Sequence, residues 1–548
     1  AAPRPPVRRR RLGARHPPVS TLGRAGLAAI AVSIAGTVAV GAAGTSLMAP
    51  PLPGAPGWLP WGLDLRLSPY IAVGLAAVSL AVGALGLLLT LRAMRSGWTV
   101  SPRSVLLAGA GAAIVVGTTR PFGTSDFLSY AAYGHELVTG HNPYLVAPRA
   151  LPGDPVARAV QDWAGTPSVY GALATGVFGA AALVGGLSAR LTVFALDLVS
   201  AAAFVVTGVL LYRLARGRTA QLRAALLWTC NPLLLQVLVA GSHVDGLAVA
   251  FSIGGLAVLF PVIRNGPVVT PGALRGAAAG TLLGLGFAVK PTAALMAIGL
   301  AIALLAARKR LTAAGLAAGF GVVAVTDLLV MGSAGIGQTT RASALVSVGS
   351  PWRVVRAVLS YFVAEPVAND VVRWCAVVLA ALLVVRFVPD FRRSDSANQG
   401  QSAGQSIGWA FLFVVAWLAA WPYVLPWYDA LAWALLALLP ASWFDWLFLA
   451  RTTVLAFGYL PARATGITIP GALRWMEPVL RSAITPAVLA TLLVLLVCRR
   501  PVVTMCDMYS PKCDSDRDLC GGGAGRGDRH FGRRGRSPAG QPRRARVQ

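Results

Sequence analysis

Charge is scarce in this chain: 12% of its 548 residues are Asp, Glu, Lys or Arg, about half the roughly 25% carried by soluble domains. Polar side chains are therefore too few to cover a soluble globule. With 56% hydrophobic residues and a mean hydropathy of +0.66, this excludes a water-soluble enzyme, a nucleic-acid-binding domain and a disordered scaffold. Lysine is nearly missing, with only Lys290, Lys309 and Lys512, so the net charge of +28 is almost all arginine. Arginine in a membrane chain collects in cytoplasmic loops, where it sets orientation against an anionic leaflet, so the charge points to membrane lipids and to no nucleic acid. Acids number twenty, fifteen of them before residue 500, few enough to weigh singly. Six cysteines give no disulfide framework: Cys230 and Cys375 are isolated in apolar segments, and Cys498, Cys506, Cys513 and Cys520 fall at or beyond the last one. Their C-x6-C spacing matches no zinc-ligand pattern.

What is present is a succession of apolar runs. A span needs about 20 apolar residues, fewer where it is half-buried in protein. Fourteen candidates lie near 25–44, 70–91, 104–117, 191–212, 222–240, 246–263, 276–290, 291–307, 312–332, 371–389, 408–424, 430–449, 452–463 and 482–498. The expected class is an all-α polytopic membrane protein of about 12–14 transmembrane helices. Arg8–Arg11 before the first run give no cleavable signal, because the run is long enough to stay as an anchor.

Positive-inside bookkeeping places both termini, Arg92/Arg95/Arg103, Arg213/Arg216/Arg218/Arg223, Arg264/Arg275, Arg308/Lys309/Arg310 and Arg392/Arg393 in the cytoplasm of a multi-pass plasma-membrane protein. The apolar stretch 168–189 breaks this alternation if it spans, and is read as re-entrant or interfacial. The organisation is then a basic cytoplasmic N-terminus (1–24), a transmembrane module (25–390) with a long outer loop (118–190), a cytoplasmic Ser/Gln/Gly-rich linker (391–407), C-terminal helices (408–498) and a disordered basic tail (499–548). The suggestive polar residues all fall on the outer face. A transporter would place them at the midplane of two related halves, and no internal repeat is visible.

The outer loop carries the chemistry. In TTRPFGTSDFLSYAAYGHELVTGHNPYLVAP (118–148), Gly123-Thr124-Ser125-Asp126 starts a helix, and Gly140 with Pro143 ends it. Asp126, Ser129, Tyr133 and Glu136 share one face while Phe127, Ala131 and Val138 share another, an amphipathic helix expected to lie along the membrane surface. Asp126 is either the cap of that helix or a base whose pKa an aromatic, membrane-bordering setting raises, with Arg120 holding the rise in check.

The strings D-F-L-S-Y-A-A-Y-G, G-H-N-P-Y and W-A-G-T-P-S-V-Y-G-A-L-A resemble the first outer loop of GT-C glycosyltransferases. The nearest resemblance is to the polyprenol-phosphomannose-dependent α-1,6-mannosyltransferases of actinobacterial envelope synthesis. C-N-P-L-L-L-Q-V-L-V-A-G-S-H-V-D-G-L-A-V-A (230–250), F-A-V-K-P-T-A-A-L (287–295) and L-P-W-Y-D-A-L-A-W (425–433) follow in that family's order. The resemblance implies a GT-C fold with its active site at the outer face and amphipathic helices in the first outer loop. It also implies a polyprenyl-phosphate mannose donor, a mannan or glycolipid acceptor and an acidic base in that loop, which maps to Asp126.

Around that base the residues suggest further roles. A departing phosphate needs its charge matched; Lys290 before Pro291 is the first candidate, against snorkelling to headgroups, with Arg341, Arg353 and Arg356 behind it. His243 and Asp245 could bind a divalent ion, orient the acceptor or support Asp126, while Asp245 could equally cap a helix. No cofactor is otherwise expected. Tyr130, Tyr133, Asn142, Tyr144 and Tyr170 could stack on or hydrogen-bond to sugars or belong to an interfacial belt, as Trp421, Trp427 and Tyr428 largely would. Asp429 could help bind acceptor, and Asp197 within its span is expected to pair with arginine, whereas Asp327 is left without a role. The rivals are a flippase or exporter of the lipid-linked sugar and an arabinosyltransferase of the same fold.

Overall fold

The computed structural model describes residues 19–54, 59–263, 272–396, 403–462 and 465–498. The basic segment before Val19, the tail after Cys498 and the middle of the linker lie outside the described residues.

The described residues fold into helices: α1 (Val19–Ala42), α2 (Pro69–Arg95), α3 (Pro102–Thr118), α4 (Asp126–Val138), α5 (Ala172–Gly185), α6 (Ala189–Leu214), α7 (Arg218–Leu227), α8 (Pro232–Leu234), α9 (Asp245–Ile263), α10 (Gly272–Val289), α11 (Ala294–Ala306), α12 (Arg310–Ser343), α13 (Trp352–Leu359), α14 (Glu365–Ser396), α15 (Ala403–Ala420), α16 (Ala430–Leu436), α17 (Phe444–Gly458) and α18 (Thr485–Cys498). Nine helical stretches among the described residues are long and apolar enough to cross a membrane, and four shorter apolar helices accompany them. This is a multi-pass helical membrane protein.

Local chemistry sets several starts. Ser68, Ser101 and Ser188 accept from the backbone N–H three residues on, at 3.3 to 3.4 Å, and Pro69 and Pro102 occupy first-turn positions where no donor is lost. Asn231 does the same for α8 ahead of Pro232, so the expected span 222–240 is a broken run of α7, α8 and a π-helical turn, almost wholly buried.

Lipid supplies no hydrophobic drive between helices, so close packing of small residues must serve. Helices α10 and α12 meet through facing glycines: a Cβ at Gly280 would lie 2.1 Å from the Leu316 carbonyl oxygen, and one at Gly319 2.1 Å from that of Ala277. Helix α12 breaks at Gly332 (φ 62°) and then continues.

Two ends of the bundle are distinct. Helix α3 leads from the end that holds Arg95 and Arg103 to the end where Thr119 meets Trp61. At the first of these, Arg95 and Arg223 both pair with Asp445. At the second lie Asp126, His243 and Lys290. Helix α5 belongs to that second end at both its termini: Tyr170 before it and Arg190 after it, bonded to the Leu59 carbonyl, sit with the 59–61 segment and α4. Both termini of this short apolar helix therefore lie at one end of the bundle.

The expected span 312–332 runs on as α12 to Ser343, and α13 follows it. Three expectations are corrected. Residues 391–396 extend α14 and 403–407 begin α15, which narrows the linker at both ends. The expected spans 430–449 and 452–463 divide instead around 437–443, as the short buried α16 and as α17. Helix α4 does not lie on a surface: every residue from Phe127 to Glu136 is buried, because α5 and α6 cover it. Gly134 permits that cover, since a Cβ there would stand 2.1 Å from the Phe178 carbonyl oxygen.

Candidate active site

A cavity of about 590 Å³ opens at the second end. It is lined by α4 and the loop after it (Asp126, Tyr130, Tyr133, Trp163, Tyr170), by Lys290, by the end of α12 and by the aromatic turn between α15 and α16. The chain enters α4 through a turn pinned by Phe122 N–H to the Ala240 carbonyl (2.8 Å) and Gly123 N–H to the Met48 carbonyl (2.7 Å). Ser125 occupies the cap position and Asp126 the first helical one, its own N–H donating to Thr124 Oγ1 at 3.2 Å. The Asp126 carboxylate thus stands at the N-terminus of α4 and lines the cavity.

His243 lies behind it. Its Nδ1 is 3.9 Å from Asp126 Oδ2 and 3.5 Å from the Tyr130 hydroxyl, and its ring stacks on Trp427 with centroids 3.5 Å apart. Burial, and then the Lys290 charge, push its pKa well below the ordinary imidazole value, so it is neutral at physiological pH. Tyr170 donates to the Tyr130 hydroxyl at 3.3 Å, Tyr130 stacks on Phe178, and Tyr133 donates to the Thr166 carbonyl at 2.8 Å. These bonds fix the α4 wall.

Lys290 is not snorkelled outward. It forms an ion pair with Asp245, and its ammonium lies 4.0 Å from the centroid of the Tyr428 ring. Burial pulls its pKa below the usual lysine range, opposed by the charges of Asp245 and Asp126. The pair is half-used: Asp245 Oδ2 is buried with no hydrogen-bond partner among the described residues. Asp245 is engaged by Lys290 through Oδ1, and no group of three or more His, Cys, Asp or Glu able to hold a metal occurs among the described residues.

Other expected residues go elsewhere. Arg341 lines the cavity rim beside Gln338. Arg353 does not line it and donates to Ser482 Oγ at 2.9 Å, and Arg356 pairs with Glu365 at 3.5 Å. Asn142 is exposed and closes its own turn by accepting from Tyr144 N–H, while the buried Tyr144 donates to Thr175 Oγ1 at 3.0 Å; neither lines the cavity. Asp429 is fully buried and bound by Arg451 Nε and Thr452 Oγ1, each at 2.8 Å, so no acceptor reaches it. Arg120 holds Asp64 (2.9 Å) and Thr45 (2.8 Å) rather than Asp126. Asp197 pairs with no arginine among the described residues, and Asp327 caps α5 by accepting from Ala172 N–H at 2.7 Å. Trp421, Trp427 and Tyr428 are cavity walls, not a lipid-facing belt. Trp163, Thr166, Gln338 and Trp417 join them without having been singled out; only Trp163 and Thr166 stood within a motif, W-A-G-T-P-S.

Residues 22–307 match the family described as alpha-(1->6)-mannopyranosyltransferase, N-terminal domain, which is more than half of the chain. The chain belongs to this mannosyltransferase family. No curated protein and no solved structure matches it. The matched segment of this mannosyltransferase contains Asp126, Tyr130, Tyr133, Tyr170, His243, Asp245 and Lys290, whereas the aromatic wall from Trp417 to Tyr428 comes from beyond it. Membership makes the chain a glycosyltransferase with a sugar donor and an acceptor, embedded in a membrane by its apolar helices.

Proposed function

We propose that the chain transfers mannose from polyprenyl-phosphate mannose to the growing α-1,6-mannan of a cell-envelope glycolipid, at the outer face of the plasma membrane. Asp126 takes the proton of the acceptor hydroxyl as its oxygen attacks the anomeric carbon. The bond from that carbon to the phosphate oxygen breaks, and polyprenyl phosphate leaves with the bonding electrons. Attack opposite to the leaving group inverts the centre and yields an α-linkage from a β-mannosyl donor. The phosphate needs no general acid, since its second pKa is about 6; its growing charge meets Lys290, with Arg341 at the rim.

The observation that carries this reading is the presence of the Asp126 carboxylate and the Lys290 ammonium in one aromatic-walled cavity. A base and a cation lining one cavity suit a displacement that releases a proton and an anion together. The tyrosines and tryptophans between them offer faces on which hexoses stack. The outer location is supported by Arg92, Arg95, Arg213, Arg216 and Arg218, which gather at the bundle's other end.

The test is transfer of labelled mannose by membranes containing the full chain to a short α-1,6-mannan acceptor. Mannosyl-phosphopolyprenol should support it, and neither a nucleotide mannose nor an arabinosyl lipid should replace that donor. Lipid movement across the bilayer with no glycan product would instead identify a flippase.

A further inference from the structure

A groove of about 710 Å³ lies at the end of the bundle opposite the sugar-transfer cavity, on the last turns of α2 between the start of α1 and α17. Its lining changes character along the helix axis. Arg92, Arg95 and Ser96 line it at the tip of α2, whereas Leu88 and Leu89, one turn back, and Leu22 of α1 line it within helices long and apolar enough to cross a membrane. Trp446 of α17 closes one side, with the Arg95 guanidinium carbon 4.3 Å from its ring centroid. The other side is held by close helix packing: a Cβ at Gly26 of α1 would stand 2.8 Å from the Thr90 backbone nitrogen of α2.

The charge at this tip is not balanced. Asp445 is one carboxylate facing two guanidiniums, Arg95 and Arg223, which leaves one positive charge over. Arg95 gives donors to Asp445 and to the Ser442 carbonyl, yet its side chain stays 33% exposed, so its charge is felt in the groove. Arg92 is exposed and forms no ion pair among the described residues, which adds a second positive charge with its donors free for a ligand. The residues before Val19 carry six arginines and no acid, so they do not supply the missing negative charge. An occupant must therefore be anionic beside Arg92 and apolar from Leu88 inward, which is the profile of a phospholipid with a net negative headgroup. A soluble phosphate has nothing to lay against the leucines. A zwitterionic lipid brings its own ammonium into the same positive field.

We infer that this groove is a binding site for an anionic glycerophospholipid of the leaflet at that end, its phosphate accepting from Arg92 in the field of Arg95 and an acyl chain lying against Leu88, Leu89 and Leu22. It is separate from the sugar-transfer cavity and does not rest on the reaction assigned there.

The test uses the full chain in phosphatidylcholine nanodiscs containing a small fraction of phosphatidylglycerol with a diazirine in one acyl chain, or phosphatidylcholine with the same diazirine, followed by mass spectrometric mapping of the crosslinked peptides. The glycerol lipid should label the peptides around Leu22, Leu88 and Trp446 about fivefold more than the choline lipid, the preference that one arginine confers near an anionic surface. Arg92→Gln, which breaks no ion pair, should bring that excess down to the choline level, and Arg92→Lys should keep most of it. Arg213→Gln removes an exposed arginine at the same end but outside the groove, and should leave the excess unchanged. Excess soluble glycerol 3-phosphate should not compete. Equal labelling by the two lipids, an excess that survives Arg92→Gln, or an equal loss with Arg213→Gln would each overturn the inference; displacement by glycerol 3-phosphate would overturn it in favour of a soluble phosphate.

Discussion

Two buried carboxylate ion pairs sit at opposite ends of the bundle and are finished differently. At one end Asp445 is closed on both oxygens: Arg223 reaches Oδ1 at 2.6 Å and Oδ2 at 3.0 Å, Arg95 reaches Oδ2 at 2.9 Å, and the Arg223 guanidinium also binds the Leu439 and Leu436 carbonyls. Arg95 further bonds the Ser442 carbonyl. At the other end Asp245 meets Lys290 through one oxygen, its second has no partner among the described residues, and the lysine borders an open cavity. A low-dielectric interior tolerates charge only when it is paired and hydrogen-bonded. The closed cluster has spent its donors on holding α2, α7 and α17 together; the open pair keeps capacity for something that enters. Asp429 is likewise closed, bound by Arg451 and Thr452.

Four variants test where that line falls. The largest effect is expected from Asp445→Ala, which strands the Arg223 guanidinium, 4% exposed, without its partner. Breaking such a pair costs about 3–5 kcal/mol, so the detergent-solubilised protein should lose most of its cooperative melt; an unchanged Tm would break the comparison. Next is the double variant Lys290→Met/Asp245→Asn, which removes both charges at once. Replacing a whole buried pair is close to neutral for folding, so Tm should hold while mannose transfer falls about 10²–10³-fold, the effect of losing one positioned charge on a developing anion. A fall in Tm with transfer preserved would class this pair with Asp445. Tyr144→Phe loses a buried hydroxyl bond to Thr175 away from the cavity, so it should cost about 1 kcal/mol of stability and leave transfer unchanged.

The fourth variant concerns Glu136, buried in α4 with neither carboxylate oxygen hydrogen-bonded among the described residues. Burial, then the charge of Asp154, push its pKa up to about 8. A carboxyl whose pKa is higher folded than unfolded binds more protons in the native state. Stability should therefore fall as pH rises from the unfolded value, about 4.3, to about 8. Glu136→Gln should flatten the dependence of Tm on pH across that window, and an unaltered slope would show that Glu136 is not its source.

Much of the architecture was legible because its signals are local. Apolar runs, capping serines before proline and the grouping of arginines depend on neighbours within a few residues, and a twenty-residue run has few ways to satisfy its backbone in lipid. The loop motif was legible in the same sense: Asp126, Tyr130, Tyr133 and Tyr170 sit on α4 and just before α5, and the glycine at 134 that lets those helices touch lies within the motif. What escaped depends on partners far along the chain. Asp429 looked available until Arg451, 22 residues on, was seen to bind it, and Arg120 looked like a neighbour of Asp126 until Asp64, 56 residues earlier, took it. The fate of Trp427 was equally hidden: a tryptophan at a span's end reads as belt, and only the fold brings His243 beneath its ring. Helix α16 was misjudged because a helix enclosed by protein needs less length than one facing lipid.

The central claim is that the Asp126 carboxylate accepts the acceptor's proton. It is tested most directly by the initial rate of mannose transfer from mannosyl-phosphopolyprenol for the purified chain and for Asp126→Asn, with the Tm of both measured in the same preparation. A general base contributes about 10²–10⁴-fold, so the rate should fall by at least two orders of magnitude at unchanged Tm. A variant that melts with the wild type and transfers mannose within a few-fold of its rate would contradict the account.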